Sequence, residues 1–340
     1  MKTRKVDIVV IGAGIAGLSF ARSIKEQRRE VLIVERSRAV GGRCATWRHA
    51  DMAMDYGVPF LHARSPLFWH TVDQLLGADV LSGWPQLVQG YGHTCQPRAL
   101  DPGVRHAALR GGLNTLAKKL AEGIEILRES EVTSLKTIHG SLQLSGANFS
   151  LSTQTLVLAA ANGESLRLLK DSDFGPSTAG AMALFGLAPT LATLSLLVCY
   201  DTPPAQPAWE LLLPETSASI QLISNESSKN AAGHKFCLCI QARPAWSRQR
   251  LNSPAEEWAC DLLRDAALLL GDWVMKPDWQ RPHRWLESRL DSASRLRGPL
   301  LQKIAGCKLG IIGEYFNPAG GLEGAFLSGH RLADLLKETK

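Results

Sequence analysis

The sequence predicts an α/β fold in which a βαβ unit at the start of the chain is completed by a strand and a helix at its end. Three observations indicate this fold. A short apolar run, Val6–Ile11, leads into three glycines at GxGxxG spacing and then into apolar residues at helical spacing. A second apolar run, Val31–Val34, ends on an acid. A third, residues 309–312, is followed by an acid, a glycine-rich turn and a helical pattern. Strands that alternate with helices are typical of a parallel sheet covered by helices.

The first glycine turn contains Gly12, Gly14 and Gly17, and each position has its own physical role. Gly12 permits a tight turn from strand to helix, Gly14 leaves room for a pyrophosphate to approach the backbone, and Gly17 lets the helix pack closely on the strand. The unpaired N–H groups at the start of the helix favour an anion. Glu35 ends the second strand, where its carboxylate can accept hydrogen bonds from a ribose. The sequence therefore predicts a dinucleotide site.

Composition narrows the function without identifying it. The chain has 340 residues, enough for two domains or one large α/β unit, and 45% hydrophobic residues, enough for a substantial core. The net charge of +6 is mildly basic. Because Lys and Arg are scattered singly or in pairs, the sequence disfavours a nucleic-acid-binding protein.

The cysteines and the longest uncharged stretch bear on where the chain resides. Seven scattered cysteines do not form a disulfide framework, and we expect Cys237 and Cys239 to be buried thiols on one face of a strand. We identify no secretory leader, so we expect a cytoplasmic protein. Residues 175–200 carry no charge, but Pro189 interrupts them. We therefore expect a core helix followed by a buried strand, Leu191–Tyr200, and no membrane span.

The rest of the chain divides into regular elements and a proline-rich middle. Helical spacing predicts four further helices, over Pro66–Leu76, around Leu113–Leu120, and over Ala255–Leu270 and Ala325–Leu336. Strands are expected over residues 124–127 and 131–135, followed by a meander that ends in residues 156–160. Residues 83–103 are predicted to form short strands and turns. From 171 to about 299, prolines between short β-type runs predict a mixed sheet capped by a helix.

Two segments after the acidic strand end extend the prediction. The first is the glycine pair Gly41 and Gly42 followed by Arg43, and the second runs from Asp55 to Phe60 and begins Asp-Tyr-Gly. On these segments the sequence resembles the flavin-containing amine oxidase superfamily, and more narrowly the renalase family and its bacterial relatives. The resemblance spans nearly the whole chain and is strongest at both ends.

The resemblance implies a Rossmann-like FAD-binding domain of the glutathione-reductase type, with a β-meander crossover, plus a mixed-sheet substrate domain. The FAD-binding domain is expected over residues 1–75, 105–170 and 300–340, and the substrate or lid domain over residues 76–104 and 171–299. The FAD is expected to be non-covalent, because the turn of residues 317–321 contains no cysteine.

The resemblance also implies site residues. The side chains expected beside the flavin or substrate, in catalytic roles, are Tyr56, Phe60, His283, Trp285 and Asn317. The positions expected to bind the cofactor are Gly12, Gly14, Ile15, Ala16, Gly17, Glu35, Arg36, Gly42, Arg43, Cys44, Asp55, Gly57, Val58, Val132, Ala160, Gly313, Glu314, Gly321, Leu322, Glu323 and Ala325. Among these, Val132 is expected to contact the adenine through its backbone, and from the sequence alone it is a strand residue. The chain departs from the family pattern at Ala161–Asn162, where relatives have a proline turn, and at Glu314, where relatives carry Asp.

The expected chemistry follows from the same resemblance. A renalase-like oxidase takes a hydride from an isomeric dihydronicotinamide to flavin N5 and passes electrons to O2. Many amine oxidases keep a lysine near N5, whereas Lys229, Lys235 and Lys276 lie in polar stretches that we expect to be exposed. This favours the renalase-like reaction. Two alternatives stay open: an FAD-dependent amine oxidase or desaturase acting on another small metabolite, and an FAD-binding protein that has lost activity.

The expected partners are accordingly a small dihydronicotinamide or amine substrate and O2 as electron acceptor. No metal, nucleic acid or membrane is expected to take part. The protein is expected to be a monomer or a homodimer.

Overall fold

The computed structural model describes residues 2–49, 51–90, 99–202, 207–230, 235–291 and 295–338. The chain forms two compact units, each assembled from separate stretches of sequence. The first contains residues 1–42, 116–190 and 290–340, and the second contains residues 43–115 and 191–289. These bounds differ from the predicted domains, because residues 43–75 and 105–115 lie in the second unit.

The strands and helices are numbered in chain order. The strands are β1 (Arg4–Lys5), β2 (Ile8–Ile11), β3 (Val31–Val34), β4 (Thr46–His49), β5 (Met52–Asp55), β6 (Leu61–Ala63), β7 (Val80–Ser82), β8 (Val88–Gln89), β9 (Arg105–Leu109), β10 (Glu125–Leu127), β11 (Ser134–Ile138), β12 (Ser141–Gly146), β13 (Phe149–Thr153), β14 (Thr155–Leu158), β15 (Thr190–Tyr200), β16 (Leu211–Leu212), β17 (Ile220–Asn225), β18 (Phe236–Ala242), β19 (Trp279–Leu290), β20 (Leu300–Ile304) and β21 (Cys307–Ile311). The helices are α1 (Ile15–Glu26), α2 (Pro66–Leu76), α3 (Asn114–Leu120), α4 (Asn162–Lys170), α5 (Ala179–Gly186), α6 (Pro244–Arg250), α7 (Ala255–Leu270) and α8 (Gly321–Glu338).

The first unit is built on a six-stranded sheet in the order β10-β3-β2-β14-β21-β20. Its pairs are parallel except β20 with β21, and β2 is buried along its whole length. Such continuous burial is expected for an apolar strand covered on both faces. A second sheet, β1-β13-β12-β11, contains the antiparallel meander. The Rossmann-like sheet and its crossover meander are therefore confirmed.

The two ends of the chain meet in the first unit, where α1 packs against α8. A Cβ atom placed on Gly329 would lie 2.3 Å from the carbonyl oxygen of Ala16, so the two helices touch backbone to backbone. The Ser19 hydroxyl donates to the carbonyl oxygen of Phe326 at 2.8 Å. Because β2 and β21 both pair with β14, the helices that follow β2 and β21 are neighbours.

The second unit contains the six-stranded mixed sheet β19-β15-β18-β17-β16-β8, the three-stranded sheet β6-β9-β7 and the hairpin β4–β5. Helix α7 packs on the large sheet through Trp258 and Leu262, which are fully buried. The predicted bounds of α2 and α7 are confirmed, and the uncharged stretch forms α5 and then β15 as expected. Among the described helices, none combines the length and the apolar character that crossing a bilayer requires.

Two local predictions were wrong, and one helix was not predicted. Helix α8 begins at Gly321, four residues before the predicted start. Residues 162–170 form α4, although their sequence pattern did not predict a helix. Val132 precedes β11 and is not part of a strand.

The expectation that Cys237 is a thiol was also wrong. Cys199 and Cys237 form a disulfide, because they are opposed partners on the antiparallel pair β15 and β18. Cys239 is a buried free thiol, as predicted. Cys95 and the other residues of the segment 91–98 lie outside the described residues, as do Pro203 and Pro204.

Candidate functional site

The glycine turn of the first unit requires glycine at two positions for packing. Gly12 has a φ of 107°, and a Cβ atom there would lie 2.9 Å from the carbonyl oxygen of Ala159. A Cβ atom on Gly17 would lie 2.1 Å from the carbonyl oxygen of Gly12. Strand β2, the turn and α1 are thus held at a separation that a side chain would prevent.

Gly14 differs from these two glycines because, in the part of the chain that the structure describes, no atom lies within 4 Å of a Cβ atom placed there. The space above Gly14 is bordered by the second glycine pair. Gly41 forms an isolated parallel bridge with Gly14, and its N–H donates to the carbonyl oxygen of Ala13 at 2.8 Å. A Cβ atom on Gly42 would lie 3.7 Å from the Cα atom of Gly14. The open backbone therefore lies at the N-terminus of α1, where an anion is favoured.

Glu35 is buried beside this turn. One carboxylate oxygen accepts the N–H of Ala13 and the other accepts the N–H of Ser37, both at 2.7 Å. Each oxygen keeps a further lone pair for a ligand hydroxyl. The next residue, Arg36, is exposed, and its guanidinium lies 3.8 Å from the carboxylate of Glu164. This arrangement fixes the Glu35 carboxylate at the end of β3.

The C-terminal turn of the first unit is ordered by its own side chains. The N–H of Gly313 donates to the Ser328 hydroxyl at 3.0 Å, which ties the end of β21 to α8. The side-chain oxygen of Asn317 accepts the N–H of Ala319 at 3.0 Å. Glu314 and Glu323 are both buried. The first turn of α8, with Gly321 and Leu322, thus begins directly after an ordered loop.

The remaining predicted positions in this unit are Ile15, Ala16, Val132, Ala160 and Ala325. Ile15 and Ala16 form the buried start of α1, and Ala325 is buried in the second turn of α8. The carbonyl oxygen of Ala160 accepts the Ser165 hydroxyl at 3.4 Å. Val132 is buried, and its carbonyl oxygen lies 3.5 Å from the guanidinium of Arg167.

The other predicted positions lie in the second unit; they are Arg43, Cys44, Asp55, Tyr56, Gly57, Val58, Phe60, His283 and Trp285. Three of them are buried. Phe60 is wholly buried, in edge contact with the Trp84 ring. Asp55 is also wholly buried, and its carboxylate is used by the protein itself. Cys44 is buried too, and burial raises the pKa of its thiol to about 12.

Asp55 belongs to a buried ion cluster with Lys229 and Glu226. The Lys229 ammonium donates to Asp55 at 3.2 Å, to both Glu226 oxygens at 2.9 Å and to the carbonyl oxygen of Pro59 at 2.7 Å. The other oxygen of Asp55 accepts from the Thr46 hydroxyl at 2.6 Å and from the N–H of Leu113 at 2.8 Å. The expectation that Lys229 is exposed was therefore wrong.

The electrostatics of this cluster keep the lysine charged. Burial lowers the pKa of Lys229, but the charges of Glu226 and Asp55 more than offset it, and the pKa is raised. Burial raises the pKa of Glu226, and the charge of Lys229 opposes that rise. A protonated lysine with four acceptors is not available as a base; it anchors the segment 55–59 instead.

Tyr56, His283 and Trp285 form an aromatic cluster next to this segment. The Trp285 ring stacks on Tyr56 at 5.3 Å, and His283 packs edge-on against both, at 4.9 Å from Tyr56 and 4.4 Å from Trp285. The Trp285 indole N–H donates to the carbonyl oxygen of Tyr56 at 2.8 Å. A Cβ atom on Gly57 would lie 3.1 Å from the Trp285 ring and 2.1 Å from the carbonyl oxygen of Arg43. The N–H of Val58 donates to that same oxygen at 2.9 Å.

The cluster is half-buried and lies beside a cation. Burial raises the pKa of the Tyr56 phenol and lowers the pKa of His283 to about 4, with Arg281 contributing to the second shift. Tyr56 is thus a neutral phenol and His283 a neutral imidazole at neutral pH. The Arg281 guanidinium stacks over the Trp47 ring, 3.5 Å from its centroid.

Four residues of these clusters were not predicted as site residues: Lys229, Glu226, Arg281 and Trp47. For Lys229 and Glu226 the sequence contains an indication of pairing, because an acid and a base three residues apart can meet on one helical turn. In the structure the two residues lie in a short 3-10 helix. For Arg281 the signal was alternation, since every second residue of β19 projects to one face. Neither signal indicates which partner lies across the sheet.

The fold is shared with oxidases of known structure. Putrescine oxidase superimposes with a TM-score of 0.74 at 12% identity over 100% of both chains. Cyclohexylamine oxidase from Brevibacterium oxydans superimposes with a TM-score of 0.68 at 16% identity, over 98% of this chain and 99% of that one. At these identities the likeness shows the fold alone.

Sequence similarity is concentrated in the N-terminal part. Residues 10–75 match the family model of the NAD(P)-binding Rossmann-like domain. A Mycobacterium tuberculosis protein provisionally named as a flavin-containing monoamine oxidase, AofH, is 48% identical over 56 residues, 16% of this chain. Polyamine oxidase 2 of Arabidopsis thaliana is 36% identical over 62 residues, 18% of this chain. The aligned segments span only 12% and 13% of those two relatives' lengths.

Proposed function

We propose that this protein is an FAD-dependent oxidoreductase. The observation that carries the proposal is the open backbone at Gly14, where a Cβ atom would meet no atom of the described residues within 4 Å although Gly12 and Gly17 on either side are tightly packed. An open glycine at the N-terminus of a buried helix, beside a fixed carboxylate, suits a dinucleotide.

The residues of the first unit fit FAD. The turn at Gly14 and the start of α1 would hold the pyrophosphate, and Glu35 would accept hydrogen bonds from the adenosine ribose. The start of α8, at Gly321, would hold the flavin end, because a positive helix end stabilises negative charge. Bound FAD would supply two-electron redox chemistry, accepting a hydride from a substrate and passing electrons to an acceptor such as O2.

The substrate that we favour is a dihydronicotinamide, as in a renalase-like oxidase. Hydride donation by a dihydronicotinamide needs no protein base. This agrees with the Lys229 ammonium, which is held by three acceptor groups and cannot take up a proton. It also agrees with Tyr56, whose phenol stays protonated because burial raises its pKa. The protein would then contribute orientation and exclusion of water.

An amine oxidase is the second candidate. It is favoured by the names of the relatives and structural neighbours, which include a polyamine oxidase and a putrescine oxidase. An amine substrate must lose a proton before or during hydride transfer, so this candidate requires a base other than Lys229 and Tyr56.

Two measurements test the proposal. Gly14→Val should give a folded but colourless protein, since the new side chain occupies the pyrophosphate space. Gly180→Val is the matched control, because a Cβ atom on Gly180 would also meet nothing within 4 Å, but this glycine is exposed on α5. Full flavin content in the Gly14 variant contradicts the cofactor site.

The second measurement distinguishes the substrates. The purified protein is mixed anaerobically with 2- or 6-dihydro-NAD(P), and separately with putrescine, while flavin absorbance near ~450 nm is followed. Bleaching by the dihydronicotinamides supports the favoured reaction. Bleaching by putrescine alone contradicts dihydronicotinamide oxidation and supports the amine oxidase. No bleaching by any compound indicates an FAD-binding protein without either activity.

A further inference from the structure

Three polar side chains of the second unit have no hydrogen-bond partner among the described residues. The Tyr56 and His283 rings are 4.9 Å apart, and the charge of Arg281 acts on both of them. Within the described ranges, no residue hydrogen-bonds to the Tyr56 hydroxyl or the His283 ring nitrogens, and none forms an ion pair with Arg281. The Nε atom of Arg281 is buried and lacks a hydrogen-bond partner.

This absence is unusual for a half-buried guanidinium. Arginine has five N–H donors in a fixed fork, and a buried donor without an acceptor costs free energy. Stacking on Trp47 satisfies the face of the guanidinium but not its edge. Arg281 and His283 are two residues apart on β19 and project to the same face, and His283 packs against Tyr56, so the edge of Arg281, the Tyr56 hydroxyl and the His283 ring are donors on one side of the strand.

The charges around Arg281 do not neutralise it. The next acid after Arg281 on β19 is Glu287. It follows six residues later, which places it roughly 20 Å away in an extended strand. Asp278 lies just before β19 and accepts the N–H of Asp201 at 2.7 Å. Asp55, next to Tyr56, is committed to Lys229 at 3.2 Å. From the β4–β5 hairpin, Arg48 faces Gly111 and His49 stacks on Trp279.

We propose that Arg281, Tyr56 and His283 form a subsite for an anionic oxygen group, so that the substrate carries a phosphate or a carboxylate. This rests on the proposed function, whose substrate it narrows to anions. A protonated amine would be repelled by Arg281, whereas a dihydronicotinamide dinucleotide carries phosphates. Trp47 holds the guanidinium in place by stacking, and Trp285 holds Tyr56 through its backbone carbonyl.

The test is calorimetric titration of the FAD-loaded protein, in which the nucleotide site is occupied. The probes are inorganic pyrophosphate, benzoate and putrescine. Wild-type protein should bind one of the two anions, and Arg281→Gln should weaken that binding by about tenfold or more, as expected for a charge-assisted hydrogen bond. Pyrophosphate as the better ligand indicates a phosphate-bearing substrate, and benzoate indicates a carboxylate.

Control variants distinguish a loss of anion recognition from a general loss of structure. Arg248→Gln removes the same charge from an exposed position in the same unit and should leave anion binding unchanged. Arg281→Lys keeps the charge and should retain part of the affinity, while Arg281→Glu should improve putrescine binding. Equal anion affinity in wild-type and Arg281→Gln protein, or tighter binding of putrescine than of both anions by wild-type protein, overturns the subsite.

The result is independent of the proposed reaction. If dihydronicotinamides bleach the flavin equally well in wild-type and Arg281→Gln protein and anion affinity does not change, the reaction stands and the subsite fails. If anion binding depends on Arg281 but no dihydronicotinamide bleaches the flavin, the subsite stands and the proposed reaction fails.

Discussion

The Nζ atom of Lys229 lies 2.7 Å from the carbonyl oxygen of Pro59, which links a buried lysine to the segment that follows Asp55. The same ammonium binds Asp55 and Glu226, so one charge fixes the end of β5 and the chain beyond it. Tyr56 and Gly57 lie between these two anchor points. The conformation of the aromatic cluster therefore depends on an ion cluster that is closed to solvent.

Removal of this lysine should be costly. In Lys229→Met, Asp55 and Glu226 stay buried without a counter-charge, and the free energy of unfolding should fall by about 3–5 kcal/mol. Chemical denaturation followed by tryptophan fluorescence measures the loss. Lys235→Met is the control, because Lys235 pairs with an exposed acid, Asp201, and a surface pair contributes about 0–1 kcal/mol. Similar losses in the two variants would show that the cluster does not stabilise the unit.

Half-buried His62 should make the protein less stable in mild acid. Burial, together with the neighbouring His106, lowers the pKa of His62 from 6.5 to about 4. Because the pKa of His62 is lower in the folded state, the unfolded chain takes up the His62 proton at a higher pH than the folded protein does. This contribution to stability is complete above pH 6.5 and is lost progressively towards pH 4.

The comparison is between wild-type protein and His62→Gln, whose side chain does not titrate. The difference in their unfolding free energies should change by up to about 1.4 kcal/mol per pH unit within that window, to the disadvantage of the wild type. Measurements at pH 7.5 and pH 5 suffice. A difference that does not vary with pH would mean that His62 takes up its proton equally in both states.

The contact between α1 and α8 should not tolerate a methyl group. In Gly329→Ala, the new Cβ atom would lie 2.3 Å from the carbonyl oxygen of Ala16, so the helices must separate. Overpacking of this kind typically costs about 1–3 kcal/mol, and we expect a loss of that size in thermal or chemical unfolding. Gly180→Ala adds the same group where nothing lies within 4 Å and should be neutral or stabilising. A Gly329 variant as stable as wild type would contradict the close packing of the chain ends.

The hydrogen bond from Trp285 to Tyr56 should matter for rate more than for flavin binding. Trp285→Phe keeps an aromatic ring but removes the indole donor, which lies 2.8 Å from the Tyr56 carbonyl oxygen. A freed Tyr56 backbone should slow flavin reduction by about tenfold or more, because small displacements of positioning groups are costly to catalysis. Stopped-flow absorbance measures the rate, and the flavin-to-protein ratio should stay at the wild-type value.

The control for this change is Trp246→Phe. Trp246 stacks with Arg250 on α6 and is not a member of the Tyr56 cluster in the second unit. Its variant should reduce flavin at the wild-type rate. Equal rates of flavin reduction in the Trp285 and Trp246 variants would show that Trp285 has no positioning role.

The sequence by itself determined the parts of the first unit that depend on local pattern. The strands β2 and β3, the turn at Gly12–Gly17 and the position of Glu35 follow from apolar runs, glycine spacing and a terminal acid, all within 35 residues. Helices α2 and α7 were predicted with their bounds, because apolar spacing and a proline or glycine at their ends are local signals.

Only the tertiary structure decided which distant residues meet. Lys229 looked exposed because its neighbours in sequence are polar, yet its partner Asp55 is 174 residues away. The disulfide between Cys199 and Cys237 depends on the register of β15 and β18, and Arg281 gains its position from Trp47 across the unit. The physical reason is that a charge or a thiol carries no periodicity of its own. Its environment is set by strand order and register, which the local pattern of the sequence does not contain.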